Sequence, residues 1–130
     1  MIVVDSSALL AIYFDEPERP SFAQILGSAD SPRIGAPNLL EASMVAEERN
    51  GEAGCRQLDR IVGNLGIGVV AFEAAHVQVA REAFRKYGKG RHRASLNFGD
   101  CCAYALAKSL SWPLLFKGND FALTDLKRAL

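Results

Sequence analysis

Short apolar runs that read as strands alternate along this chain with longer helical patterns, and an acidic residue stands at four of the helix starts: Asp5, Glu41, Asp100 and Asp120. This alternation constrains the fold more than any other feature. Strands separated by helices pair in parallel and need a helical layer on each face. Ile2-Val3-Val4 stops at Asp5-Ser6-Ser7, ahead of the helix-like stretch Ala8 to Phe14. Leu114-Leu115-Phe116, introduced by Pro113 and broken by Gly118-Asn119, leads to Asp120 and a short helical segment. Arg33 to Ala36 ends at Pro37-Asn38, which places Glu41 in the first turn or so of a helix running to Arg49, and Leu96-Asn97-Phe98-Gly99 leads into a helix with Asp100 at its beginning. In an open parallel sheet the carboxyl ends of the strands and the amino ends of the following helices share one edge, where such folds bind ligands. The four carboxylates are expected to converge there.

Each of these acids can also be read as a helix cap, since Asp is a favoured N-cap and an acid in the first turn gains up to about 1 kcal/mol from the helix dipole. Four together demand more. Two carboxylates about 4 Å apart repel by roughly 4 kcal/mol at an effective dielectric near 20, so a cluster calls for protons or cations. Oxygen-only ligation favours magnesium or manganese. Zinc lacks support, because the only histidines are His76 and His92 and no cysteine pair has ligand spacing.

The remaining segments give helices over Ser21 to Ala29, Glu52 to Leu65, Glu73 to Tyr87 and Gly99 to Leu110, with Asn50-Gly51 as the stop of the helix that carries Glu41. Leu58, Ile61, Val62 and Leu65 recur at helical spacing as core, and Ala75, Val79 and Phe84 are expected to face inward. Gly66 to Phe72 reads as a buried strand. The expected fold is a three-layer α/β/α sandwich with a central, mostly parallel sheet, formed by residues 1–130 as a single domain.

Composition excludes several classes. The chain is 49% apolar and 23% charged, ordinary for a globular protein. No apolar run approaches the roughly 18 residues of a membrane span, and the start lacks the pattern of a signal peptide, so a cytoplasmic protein without membrane contact is expected. Cys55, Cys101 and Cys102 form no CxxC motif and read as reduced, packed thiols. Fifteen basic residues balance fifteen acidic ones, yet Arg81, Arg85, Lys86, Lys89, Arg91 and Arg93 crowd into one stretch whose only acid is Glu82. A basic loop beside an acidic metal pocket suits a polyanion such as a phosphate backbone, and Arg91 and Arg93 are its candidate phosphate ligands. The alternative is a solvated helix end followed by the glycine loop Tyr87-Gly88-Lys89-Gly90.

Taken together, the opening Met1 to Ala11, Leu39-Leu40-Glu41, Leu96 to Asp100, and Lys117 to Phe121 with Thr124-Asp125 resemble the PIN-domain ribonucleases, specifically the VapC toxins of type II toxin–antitoxin pairs. The resemblance spans nearly the whole chain. It implies a PIN-like fold and a metal-dependent endoribonuclease that hydrolyses RNA phosphodiesters, with Asp5, Glu41, Asp100 and Asp120 as the acidic quartet. Asp5, Asp100 and Asp120 would hold Mg2+ or Mn2+, Glu41 would be a ligand or orient the attacking water, and Ser7, Asn119, Thr124 and Asp125 would be supporting polar residues. It further implies a cognate antitoxin that reaches the carboxylates with a basic side chain. A homodimer is expected as well, formed through apolar faces near Phe22 and Val45. Two rivals stand beside this reading. A haloacid-dehalogenase-type phosphatase would also begin with a strand and Asp, but it would want a second Asp where this chain has Ser7. A non-catalytic module could use an acidic rim to dock a basic peptide.

Overall fold

A computed structural model describes residues 1–130. The element order is β1 (Ile2–Val4), α1 (Ser6–Tyr13), α2 (Arg19–Ser28), β2 (Pro32–Gly35), α3 (Ala36–Asn64), β3 (Gly68–Val70), α4 (Ala74–Tyr87), α5 (Phe98–Leu110) and β4 (Leu114–Leu115), followed by a 3-10 turn over Phe121–Leu123. The strands form one sheet in the order β3-β2-β1-β4, and every pairing is parallel. The chain steps outward from β1 through β2 to β3 and then returns to place β4 on the other side of β1. That reversal opens a crevice at the carboxyl ends of β1 and β4, the general location of ligand sites in such sheets.

Alternation along the strands divides the core in two. Val4, Ile34 and Leu115 face α1, α2 and α3, where Leu9, Ile12, Phe22, Leu26 and Leu58 are buried. Val3, Leu114 and Phe116 point the other way, onto Ala103, Leu106 and Ala107 of α5 and Ala83 of α4. Successive strand residues point to opposite faces, so Val3 and Val4 each anchor a different helical layer. The expected three-layer sandwich is the observed one.

Three expectations need correction. Gly66 to Phe72 contains a strand of only three residues, and it is not buried: β3 pairs with β2 alone, and Val69 at this sheet edge is 52% exposed. On α4 the inward residue is Ala83, whereas Ala75 is exposed and Phe84 is 41% exposed, because small residues let α4 lie close against α5. Phe22 belongs to the core, so it offers nothing to a partner; the exposed apolar face lies instead at Leu40, Met44 and Val45. The expected stop at Asn50-Gly51 holds: the span of α3 is two helical limbs that meet at a sharp kink, with Gly51 outside helical geometry at φ 66°, ψ −162°. Beyond it the helix folds back until Cys55 Sγ reaches the Ser43 carbonyl at 3.3 Å. Gly54 makes this possible, since a Cβ there would sit 2.5 Å from the Ala46 carbonyl oxygen.

Candidate active site

Asp5 leaves β1 as the N-cap of α1. Its amide donates to the Leu115 carbonyl at 2.9 Å, fixing the residue against β4. The side chain is 4% exposed, and its Oδ2 accepts from the Ser7 amide at 3.0 Å and from Ser7 Oγ at 2.6 Å. Ser7 Oγ in turn accepts from the Lys117 amide at 3.0 Å, so one hydroxyl joins the ends of β1 and β4 beneath the carboxylate. Burial pushes the Asp5 carboxyl up from 3.8 to about 6; the Ser7 bonds oppose the shift, while Asp100 and Glu41 add to it.

Glu41 lies in the second turn of α3, slightly deeper than expected. Ser6 Oγ donates to its Oε1 at 2.6 Å. Asn38, only 1% exposed, donates from Nδ2 to Ser6 Oγ at 3.3 Å and to the Gly99 carbonyl at 2.9 Å. These residues bolt together the starts of α1, α3 and α5. Gly99 completes the seat: a Cβ at that position would lie 2.5 Å from Glu41 Oε2.

Asp100 enters α5 in a reciprocal cap, its amide donating to Asn97 Oδ1 at 2.9 Å while its Oδ2 accepts the Asn97 amide at 3.0 Å. Capping is therefore a true reading of Asp5 and Asp100, and it leaves each a second oxygen for other work. Burial raises the Asp100 carboxyl against the Asn97 bond, with Asp120 and then Glu41 contributing repulsion. Asp120 is exposed at the start of the 3-10 turn and makes no capping bond. Charge repulsion thus links Asp100 to Asp120 and Glu41, and Asp5 to both Asp100 and Glu41.

As the side chains stand, no three acidic, histidine or cysteine groups converge as a finished ion cage. The donor set nonetheless fits Mg2+ or Mn2+. All the donors are hard oxygens, the carboxylates repel one another, and magnesium keeps most of its own water and needs only one or two carboxylates.

The expected supporting residues divide. Ser7 touches Asp5. Asn119 is exposed next to Asp120, and Thr124 closes the turn behind it, donating from Oγ1 to the Phe121 carbonyl at 2.7 Å. Asp125 points away from the acids: Tyr104 Oη and Lys108 Nζ each donate to it at 2.6 Å. Burial alone would raise its carboxyl, but those two partners hold it below the ordinary range. Arg91 stacks over the Phe84 ring with its guanidinium carbon 5.0 Å from the ring centre, and Arg93 is exposed. Sequence reasoning did not single out Ser6, Asn38 or Gly99 as site residues. Pro37-Asn38 reads equally well as an ordinary helix start, and only tertiary packing brings it to Ser6 and Gly99.

The sequence pattern of the PIN domain family matches residues 2–127. The chain is 47% identical over 129 residues to a Ribonuclease VapC of Mycolicibacterium smegmatis, covering 96% of this chain and 97% of that one. Among solved structures, Mycobacterium tuberculosis VapC20, described as a Sarcin-Ricin loop cleaving toxin, superposes with a TM-score of 0.78 at 15% identity, covering 97% and 96% of the two chains. A toxin-antitoxin complex from Klebsiella pneumoniae gives 0.71 at 13% identity, covering 96% and 93%. The two structures share the fold, and the close relative carries the family, which removes the phosphatase alternative. With its matched span and its near full-length likeness to a VapC ribonuclease, the chain belongs to the PIN domain family, among its VapC ribonucleases.

Proposed function

We propose that this protein is a metal-dependent endoribonuclease acting as the toxin of a type II toxin–antitoxin pair, with Asp5, Glu41, Asp100 and Asp120 as its catalytic acids. The observation that carries this reading is the mutual repulsion of four carboxylates at one sheet edge, in a chain 47% identical to a ribonuclease. Asp5, Asp100 and Asp120 would hold Mg2+ or Mn2+, which would supply Lewis acidity and a more acidic water. Glu41, seated by Ser6 and Gly99, orients the attacking water for in-line displacement. Ser7 fixes Asp5 through its 2.6 Å bond, while Asn119 and Thr124 shape the turn that presents Asp120. Arg91 and Arg93 hold RNA phosphates, and no covalent nucleophile is required.

The proposed partners follow from the same charges. A Klebsiella relative in fold is a toxin-antitoxin complex. An antitoxin arginine entering this pocket would compensate the carboxylates through charge-assisted bonds, so inhibition competes with metal. The exposed Leu40, Met44 and Val45 are the proposed homodimer face. No helix is long and apolar enough to cross a membrane, and the cytoplasm, where transcripts are met, is the proposed site of action.

The test is cleavage of a defined RNA with and without Mg2+ or Mn2+. Asp5→Asn and Asp100→Asn should each abolish cleavage while the protein stays folded. Full cleavage by both variants, in preparations free of contaminating nuclease, overturns the assignment. Expression of the chain alone should arrest growth, and co-expression of the adjacent upstream reading frame should restore it.

A further inference from the structure

A cavity of about 700 Å³ opens between α4 and the first turn of α5. Its apolar wall includes Phe84 and Phe98, and its rim carries Arg81, Arg85 and Arg91. Phe98 is 81% exposed, an unusual cost for a large aromatic side chain on a small domain. Phe84 packs on Gly88, so close that a Cβ there would come 2.5 Å from Cδ1, and the Arg91 guanidinium covers the ring at 5.0 Å. The cavity also borders the acids. Cys101 and Cys102 line it and directly follow Asp100.

We infer that this cavity is a nucleobase subsite, which takes one unstacked base of the RNA strand next to the scissile phosphodiester, stacked on Phe98 and Phe84 with Arg91 and its neighbours on the adjoining phosphate. The inference rests on the endoribonuclease reading. Single-stranded RNA is recognised by stacking splayed bases on aromatic rings and guanidinium planes. An apolar floor ringed by three arginines matches that ligand, whose π-face is flat and whose link to the next residue is anionic. The volume falls within the range of about 300–1,000 Å³ usual for small-ligand sites. A hydrophobic partner surface would use the floor but give the arginines no anion.

The test is single-turnover cleavage of a short RNA that the wild-type protein cuts, with an abasic nucleotide moved one position at a time past the scissile bond. In the wild type, one abasic position should raise the half-saturating concentration by about tenfold. Phe98→Ala should raise it as much for the intact RNA and should show no further loss at that position. Phe98 is exposed, so the variant keeps its core; Arg91→Ala should reproduce the weakening and lower the salt slope by about one. An abasic penalty that persists in Phe98→Ala overturns the subsite. So does a Phe98→Ala variant whose cleavage is unchanged while its sedimentation shifts to a smaller species, which assigns the face to a second copy of the chain. Absence of any RNA cleavage by the wild type would instead strike the endoribonuclease reading itself.

Discussion

Glu41 and Gly99 touch so closely that residue 99 has no room for a side chain: a Cβ would stand 2.5 Å from Glu41 Oε2 and 2.6 Å from Oε1. The contact spans two helices and sets where one of the four acids can point. Gly99→Ala should leave stability within about 1 kcal/mol of wild type, since alanine favours a helix by that amount. Displacing the Glu41 carboxylate should nevertheless lower kcat/KM by tenfold or more, because small misplacements at a reacting centre are costly. Cleavage kinetics beside thermal melts decide it; unchanged kinetics would remove Glu41 from the machinery.

Asp5 gives a pH signature in the metal-free protein. Its folded-state carboxyl titrates near 6, above the ordinary 3.8, so the folded state binds the proton more tightly than the unfolded chain does. Its contribution to stability is fully present below about pH 3.8 and is lost as pH rises through 6, a difference of about 3 kcal/mol. Asp5→Asn should therefore be more stable than wild type at pH 7.5 in a chelator, with the gap closing by pH 4. Denaturant melts across that range check it, and added Mg2+ should narrow the gap by stabilising the wild type.

The fold-back of α3 depends on two glycines for different reasons. Gly51 occupies a backbone region that is nearly glycine-only, so Gly51→Ala should cost about 1–3 kcal/mol. Gly54 has its space filled by the Ala46 carbonyl, Tyr13 Oη and Asn50 Cβ at 2.5, 2.8 and 3.0 Å, so Gly54→Ala should cost a similar 1–3 kcal/mol through overpacking. Urea unfolding measures both. A neutral Gly54→Ala would mean the two limbs of α3 part readily.

Arg93 is exposed and stands in the basic stretch next to the cavity rim. Arg93→Ala should weaken RNA binding equally for different sequences and reduce the dependence of log K on log salt by about one. An unchanged slope returns Arg93 to a solvated loop.

Much of this protein is determined by local sequence. Ile2-Val3-Val4 followed by Asp5, and Leu114-Leu115 followed by the turn to Asp120, specify strand ends with acids at a shared edge, because a parallel sheet aligns all its carboxyl ends. The bend at Asn50-Gly51 was legible too, since glycine accepts a conformation that other residues resist. Periodicity did not reveal which face of α4 is buried: Ala83 packs inside while Phe84 lines the cavity, and a bulky residue outside a helix gives the same pattern as one inside. Nor could it reveal the bridge from Ser6 through Asn38 to Gly99, which joins residues 32 and 61 positions apart. Strand order, the coupling of Asp100 to Asp120 and the space kept for Glu41 are decided only in the tertiary structure, where long-range packing fixes distances that no local propensity encodes.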